Sequence, residues 1–595
     1  MSVIPSRRDV LRGAAVAASL PLIGNLSTGS AFASAPGKGA GGLGANVLVF
    51  DPAMGDAAIQ AQVDAVFEIQ QSNQFGTERY ALAFKPGTYN VDVNVGFYTH
   101  VLGLGDSPDD VVINGHVTVD AQWLGGNGTQ NFWRAAENLC IVPPDGLERW
   151  AVAQAGPMRR AHIKGDMTLW PSPPGNQWSS GGFLADSVVD GQVDSGSQQQ
   201  WLSRNDTFGS WTGSNWNMVF VGTQGAPAQH FPNPAWTVVD QTPVVREKPF
   251  LTLAHDGYRV FVPALRRHSA GTTWAGGRAA GESLPLSRFH VAQPGDSAAT
   301  LNQALERGRH LLFTPGVYPL SAPIRVTRPG TVVLGLGLTT LQATHGNSLI
   351  EVDDIGGVSI AGVLLEAASA GSPVLLRVGH GRSHTRHVDP TALFDVYARI
   401  GGALAGGATV SVQLDSNDVI CDNLWLWRAD HGNDGTVGWT INPADTGIIV
   451  NGDRVTAYGL AVEHYQKYEV IWNGNQGATY FFQNEHPYDV PAQSAWVHGG
   501  TNGYAAYKVA DSVKEHQAWG LGSYCFFDLE ADIYTDRAYE VPDTPGVVFT
   551  DLMIVCLNGP GGGGIVNCIN ESGGPVENGF GTFNMTGYSN GVGTV

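Results

Sequence analysis

Two glutamates, Glu463 and Glu485, stand 22 residues apart, each closing a short run of strand-forming residues: VTAYGLAVE ends on Glu463 and GATYFFQNE on Glu485. A third run of the same length, VICDNLWLW, ends on Trp427. Aligned, the runs place Trp427, Glu463 and Glu485 at one position, with Asp430 and Gln466 together three residues further on. Trp425, Trp439, Tyr465, Tyr468, Trp472 and His486 crowd the same stretch. Paired carboxyls among aromatic rings are the equipment for breaking a glycosidic bond, which needs a protonated acid at the leaving oxygen. A second carboxylate nearby and burial against rings both raise that acid's pKa, and ring faces pack against sugar faces. The competing reading is a solvated row of Glu and Asp on an exposed surface, and the column alone does not separate the two.

A column of this kind requires strands stacked at a constant interval. VSIAGVLLE (358–366) joins the runs above, and shorter runs recur before residue 225, each ending at a glycine, with no helices between them. Short strands repeating about once per coil specify a parallel β-helix, with rungs about 4.8 Å apart. The chain carries this plan twice. F-x-P-G-x-Y occurs at 84–89 and 313–318, V-L-G-L-G follows at 101–105 and 333–337, and a short helical stretch (57–70 and 298–307) precedes each. The expected architecture is all-β: two tandem right-handed parallel β-helices packed side by side, residues 46–275 and 285–595, joined through the Gly/Ala/Ser/Thr-rich stretch 269–282. The second carries the carboxylate column.

At 595 residues, with 43% hydrophobic and 14% charged side chains, the chain is long enough for two domains and apolar enough for large cores. The net charge of -20 excludes nucleic acid and anionic membranes as partners and disfavours a polyanionic glycan; a neutral polysaccharide fits best. Five scattered cysteines make no disulfide scaffold; Cys556 and Cys568 are near enough to pair, or all five are buried thiols. No CxxC, H-E-x-x-H or G-x-S-x-G occurs, so no metal, no other cofactor and no serine nucleophile is expected. Arg7-Arg8, the apolar run 13–23 and Ala31-Phe32-Ala33 read as a twin-arginine export signal cut near Ser34, followed by a flexible leader to residue 45. The mature protein is expected to be secreted and monomeric.

The stretches WLWRADH (425–431), GLAVEHY (459–465) and QNEHP (483–487), with the duplicated PGxY segments and QAGPMRR (154–160), resemble glycoside hydrolase family 55 over nearly the whole mature chain. The resemblance implies two β-helices, exo-acting cleavage of β-1,3-glucan of the laminarin type, inversion at the anomeric carbon and no metal. It implies that Glu485 is the general acid and that Glu463 holds the attacking water or tunes the acid. Trp427, Asp430, Trp439, Tyr465, Gln466, Trp472 and His486 are the candidate substrate contacts. From the first domain, placing Lys164-Gly165 over Asp190-Gly191 brings Gln154 beside Ser180, and the next rung adds Gln198 or Gln199. Gln154 and Ser180, then Gln199, are the candidates for positioning a water, against the alternative that they only satisfy backbone groups at rung corners.

Carboxylates on adjacent rungs would lie about 5 Å apart, the spacing of retaining enzymes, whereas inverting ones need roughly 6.5–9.5 Å. Inversion therefore requires that Glu463 is no simple base or that its side chain points away from Glu485. Two rival readings remain. A polygalacturonase or pectate-lyase type of enzyme is suggested by Asp353-Asp354 with Gly379-His380-Gly381, but the partner motifs and a calcium cluster are missing. A non-catalytic carbohydrate-binding β-helix predicts aromatics without an essential acid.

Overall fold

The structure, a computed structural model, describes residues 42–172, 177–529, 532–557 and 559–595. The twin-arginine segment, the Ala31–Ala33 site and most of the leader lie outside the described residues. Among those described, no helix is long and apolar enough to cross a membrane.

Two parallel β-helices account for most of the chain. The first stacks parallel strands from Val47–Phe50 to Trp236–Val239. The second builds two sheets. One runs from Phe289–Ala292 through Ile420–Arg428, Thr456–Glu463, Gly477–Glu485 and His516–Cys525 to Val547–Leu557. The other runs from Ile324–Val326 through Val470–Trp472 to Gly563–Ile569. Between the two helices lie antiparallel pairs. Gly281–Pro285 pairs with Gly257–Pro263, so the end of the stretch that composition marks as a join is itself ordered sheet.

The duplicated motif has one structural task. Tyr89 and Tyr318 turn inward from the two F-x-P-G-x-Y loops. The Tyr89 hydroxyl donates to the carbonyls of Lys85 (2.8 Å) and Phe50 (3.1 Å), and that of Tyr318 to Thr314 and Ala292 (both 2.9 Å). Each tyrosine ties its loop to the preceding rung. The helices Asp56–Gln70 and Ala298–Glu306 lay Ile59, Val63 and Val66, or Leu301 and Leu305, over the first rungs of each stack. They cover a sheet end that would otherwise expose apolar edges.

The long strands of the second domain are buried on both faces, which is why they read as near-continuous apolar runs. One face points into the β-helix, where Leu424, Leu426, Leu460, Val462 and Phe482 pack. The other meets the first domain. The seven successive strands from Ser359–Glu366 to Val547–Leu557 in this sheet are each bent once, at a residue with φ between +48° and +68°: Gly362, Asp395, Asn423, Gly459, Phe481, Gly520 and Asp551. These residues stack rung on rung, and the strand register skips them. Glycine, Asn and Asp are the residues that adopt this conformation readily; Phe481, a bulky side chain, is the exception and lies on the Glu485 strand. At Gly520 a Cβ would fall 2.3 Å from Val219 of the first domain, so glycine there also permits the close approach of the two helices.

The interface is held by buried charge. Arg159 bridges Asp395 (2.7 Å) and Asp422 (2.8 Å), and Arg204 bridges Asp422 (2.8 Å) and Glu247 (2.7 Å). All five cysteines are buried, and Cys140, Cys421, Cys525 and Cys568 are free thiols. Cys556 lies in register with Cys525 on the neighbouring rung.

Candidate active site

The rung register brings the carboxylates together as the run alignment requires. Arg399 pairs with Trp427 and Trp427 with Glu463. Ala461 pairs with Gln483 one rung on, which carries Glu463 over Glu485, and Glu485 pairs with Tyr524. Glu463 and Glu485 each lie four residues beyond the bend of their strand, so the second half of every rung presents them toward the first domain.

Their hydrogen bonds then separate them. Glu463, 0% exposed, accepts at Oε2 from the Trp425 indole N–H (2.9 Å) and at Oε1 from the Gln154 amide of the first domain (2.7 Å). The same Gln154 amide reaches the side-chain Oε1 of Gln483 at 3.3 Å. Glu485 instead accepts from the Tyr488 hydroxyl at Oε2, and the His464 ring lies 3.8 Å from that oxygen. One carboxylate is directed into the interface and held by Trp425 and Gln154; the other faces a phenol and an imidazole.

Behind Glu485 is a supporting ring. His464 also lies 3.7 Å from Asp430, which is 3.0 Å from His431. His431 in turn contacts Gln74 of the first domain at 2.7 Å. Arg428 clamps the Asp489 carboxylate through both terminal nitrogens (2.8 Å each) and donates to the His464 carbonyl (3.3 Å). The Tyr524 phenol, buried and beside the Glu485 charge, is pushed well above its ordinary pKa and stays protonated; it donates to Gln200 of the first domain at 2.9 Å. Next to Gln154 a cavity of about 20 Å³, the size of about one water, is lined by Gln154, Gly181, Phe183 and Gln200 on one side and by Trp425, Ala461 and Gln483 on the other.

The remaining sequence candidates divide. Gln154 and Asp430 are in the site. Ser180 is buried (1% exposed) one residue before the cavity-lining Gly181. Gln199 contributes main-chain bonds to Ser179, Trp216 and Asn217; its neighbour Gln200 is the glutamine that faces the cavity. Gln198 is a corner residue, accepting from the Gly181 N–H (2.8 Å) and donating to the Val152 carbonyl (3.1 Å).

Several aromatic candidates are not open platforms. Trp427 is 0% exposed, packed between Trp425 (5.1 Å), Trp133 (5.6 Å) and Phe132 (6.1 Å) in an apolar seam between the domains. Tyr465 turns into the β-helix and meets the Ser411 hydroxyl at 2.6 Å, because His464, with φ +66°, reverses the chain just past the strand. Trp472 belongs to the second sheet and points inward against Tyr507 (6.1 Å). Gln466 staples two main-chain groups, Ala444 N–H (3.1 Å) and the Trp439 carbonyl (2.6 Å), and Trp439 is half-buried beside Arg428 (5.6 Å). His486 is 1% exposed against Ser523 (3.3 Å). Burial, with the neighbouring His464, lowers its pKa to about 3, so it is a neutral core imidazole.

Tyr488 is the contact that sequence reading missed. It sits three residues beyond Glu485, the same offset that relates Asp430 to Trp427 and Gln466 to Glu463, so the signal was present. Among the described residues one trio of potential metal donors, Asp109, Cys140 and His162, lies within 4.8 Å of one another. It sits on the first β-helix, and His162 spends one nitrogen on Asp109 (2.6 Å) and the other on Asp190 (3.1 Å). That spacing is a hydrogen bond, too short to seat an ion between the pair at ordinary metal–ligand distances.

A double β-helix with a carboxylate pair fixed at its inter-domain seam defines a polysaccharide-cleaving hydrolase of the pectate-lyase-like fold. Residues 289–485 match the LAM55 pectate lyase-like domain. The chain is 52% identical over 541 residues (91% of this chain, 88% of the relative) to the exo-beta-1,3-glucanase of Streptomyces sp. strain SirexAA-E. The solved structure of sacteLam55A from that organism superposes with a TM-score of 0.89 at 51% identity, covering 92% of this chain and 98% of the other. A variant of it in complex with glucose matches at TM-score 0.89 and 50% identity, with the same coverage. The chain belongs to glycoside hydrolase family 55.

Proposed function

We propose that the protein is a secreted exo-acting β-1,3-glucanase that releases sugar from the chain end with inversion. Glu485 protonates the glycosidic oxygen. Glu463, fixed by Trp425 and Gln154, serves the attacking water as an acceptor and charge and does not itself attack carbon; Gln154 and Ser180 hold that water from the first domain. The observation that carries this reading is the 2.7 Å bond from Gln154 to Glu463. It spends one Glu463 oxygen on a donor from the opposite domain while Trp425 takes the other, which suits a water-positioning group better than a nucleophile. The 52% identity to a Streptomyces exo-beta-1,3-glucanase supports the linkage and the chain-end mode. Arg7-Arg8 and Ala31–Ala33 support export, and a site assembled within one chain supports a monomer.

The test is digestion of laminarin and of polygalacturonate, with NMR of the first-formed sugar. Release of glucose as the α-anomer from laminarin, and nothing from polygalacturonate, is expected. An early β-anomer overturns inversion, and release from neither substrate overturns the activity in favour of a binding protein.

A further inference from the structure

A third carboxyl group lies beneath the pair. Glu469 opens the inward strand Val470–Trp472; it is 1% exposed, and neither side-chain oxygen has a hydrogen-bond partner. Asn484, the residue before Glu485, is 0% exposed, and both atoms of its amide are also without a partner. Alternation along the strand Gly477–Glu485 sends Phe482 into the β-helix core, and Asn484 follows it while Gln483 and Glu485 face the cleft. The corner leading to Glu469 closes tightly: a Cβ at Gly447 would fall 3.0 Å from the Glu469 carbonyl and 3.1 Å from the Tyr465 ring. Two orphaned polar side chains in the buried interior call for a reason, since a buried polar group left unpaired gives up its water without replacement.

We propose that Glu469 and Asn484 form one internal polar pair that positions the strand end bearing Glu485 and the turn at His464. Burial first, then the charges of Glu463 and Glu485, push the Glu469 carboxyl well above the usual carboxylate range, while the His464 N–H and the Asn484 amide, near it but outside hydrogen-bond geometry, pull the other way. Glu469 is therefore a neutral acid, able to donate through its O–H and to accept. It lends the cleft a polar support without adding a third negative charge under the two already there. Glu469 is a positioning residue, and the inference rests on Glu485 being the acid.

Glu469→Gln, Glu469→Leu and Glu485→Gln in the full chain test it, with kcat, KM and pH profile on laminarin. Glu469→Gln, a neutral isostere, is expected within about threefold of wild-type kcat with a superimposable pH profile. Glu469→Leu is expected to lose tenfold or more in kcat at unchanged KM. Wild-type kcat in the Leu variant overturns the pair, leaving Glu469 a passive core residue. A Gln variant as impaired as Leu, or with its profile moved to lower pH, overturns the neutral state, because removing a real negative charge would lower the acid's pKa. Should the Leu variant fail to fold, Asn484→Ala carries the same expectation of lost kcat at constant KM, and unchanged kcat there overturns the proposal. Retained activity in Glu485→Gln would instead overturn the acid assignment, whatever Glu469 does.

Discussion

Gln154 of the first β-helix and Glu463 of the second are joined by a 2.7 Å hydrogen bond, although 309 residues separate them in the chain. Neither domain alone contains the site. A buried carboxylate is costly unless its oxygens are satisfied, and here a donor comes from the other domain. Breaking that bond should act on the reaction more than on the fold. Gln154→Ala is expected to lower kcat about tenfold to a hundredfold. A double-mutant cycle with Glu463→Gln should show a coupling of about 0.5–3 kcal/mol in kcat/KM; additive losses would show that the two residues act separately.

Replacing Glu485 by Gln keeps shape and removes the proposed proton donor. Loss of kcat by about a hundredfold or more is expected on laminarin, with the unfolding midpoint in urea unchanged. More than about a tenth of wild-type rate would assign the acid elsewhere.

The interface charges should govern stability. Asp422 accepts from Arg159 (2.8 Å) and Arg204 (2.8 and 3.0 Å) with no exposure to solvent. Asp422→Asn leaves two buried guanidiniums short of a counter-charge, and a loss of about 3–5 kcal/mol is expected. Urea unfolding measures it, and activity should fall with it as the domains separate.

Acid should weaken the fold through buried imidazoles. Burial lowers His486 and His516 to about 3, from an ordinary 6.5. Between those values the unfolded chain binds protons that the native protein refuses. The stability these groups contribute is therefore complete above about pH 6.5 and drains away as the pH falls toward 3. Each histidine should cost about 2 kcal/mol between pH 6.5 and pH 5. His516→Gln is expected to flatten the decline of the urea midpoint over that interval; an unaltered slope would mean that His516 is not the sensor.

The sequence by itself determined the repeating parts. The runs ending on Trp427, Glu463 and Glu485 were legible because each rung repeats an apolar run of the same length whatever the length of the loop between, so alignment of runs is alignment in space. The duplicated loops were legible because both tyrosines make the same local bond, each to the carbonyl four residues before it. Twofold alternation also separates Glu485 from the inward Asn484. What only the tertiary structure decided is everything that depends on the facing domain. Trp427 looked like a sugar platform and is sealed against Trp133; Tyr465 and Trp472 looked like neighbours of the site and point into the core, because a turn at His464 and a change of sheet break the alternation. Gln200 rather than Gln199 faces the cavity. The divergence of Glu463 from Glu485 follows from donors as distant as Gln154, and no local pattern encodes a partner in another domain. The carboxylate pair was written in the rung repeat, and the Gln154 bond that sets Glu463 apart from Glu485 came from the packing of the two β-helices.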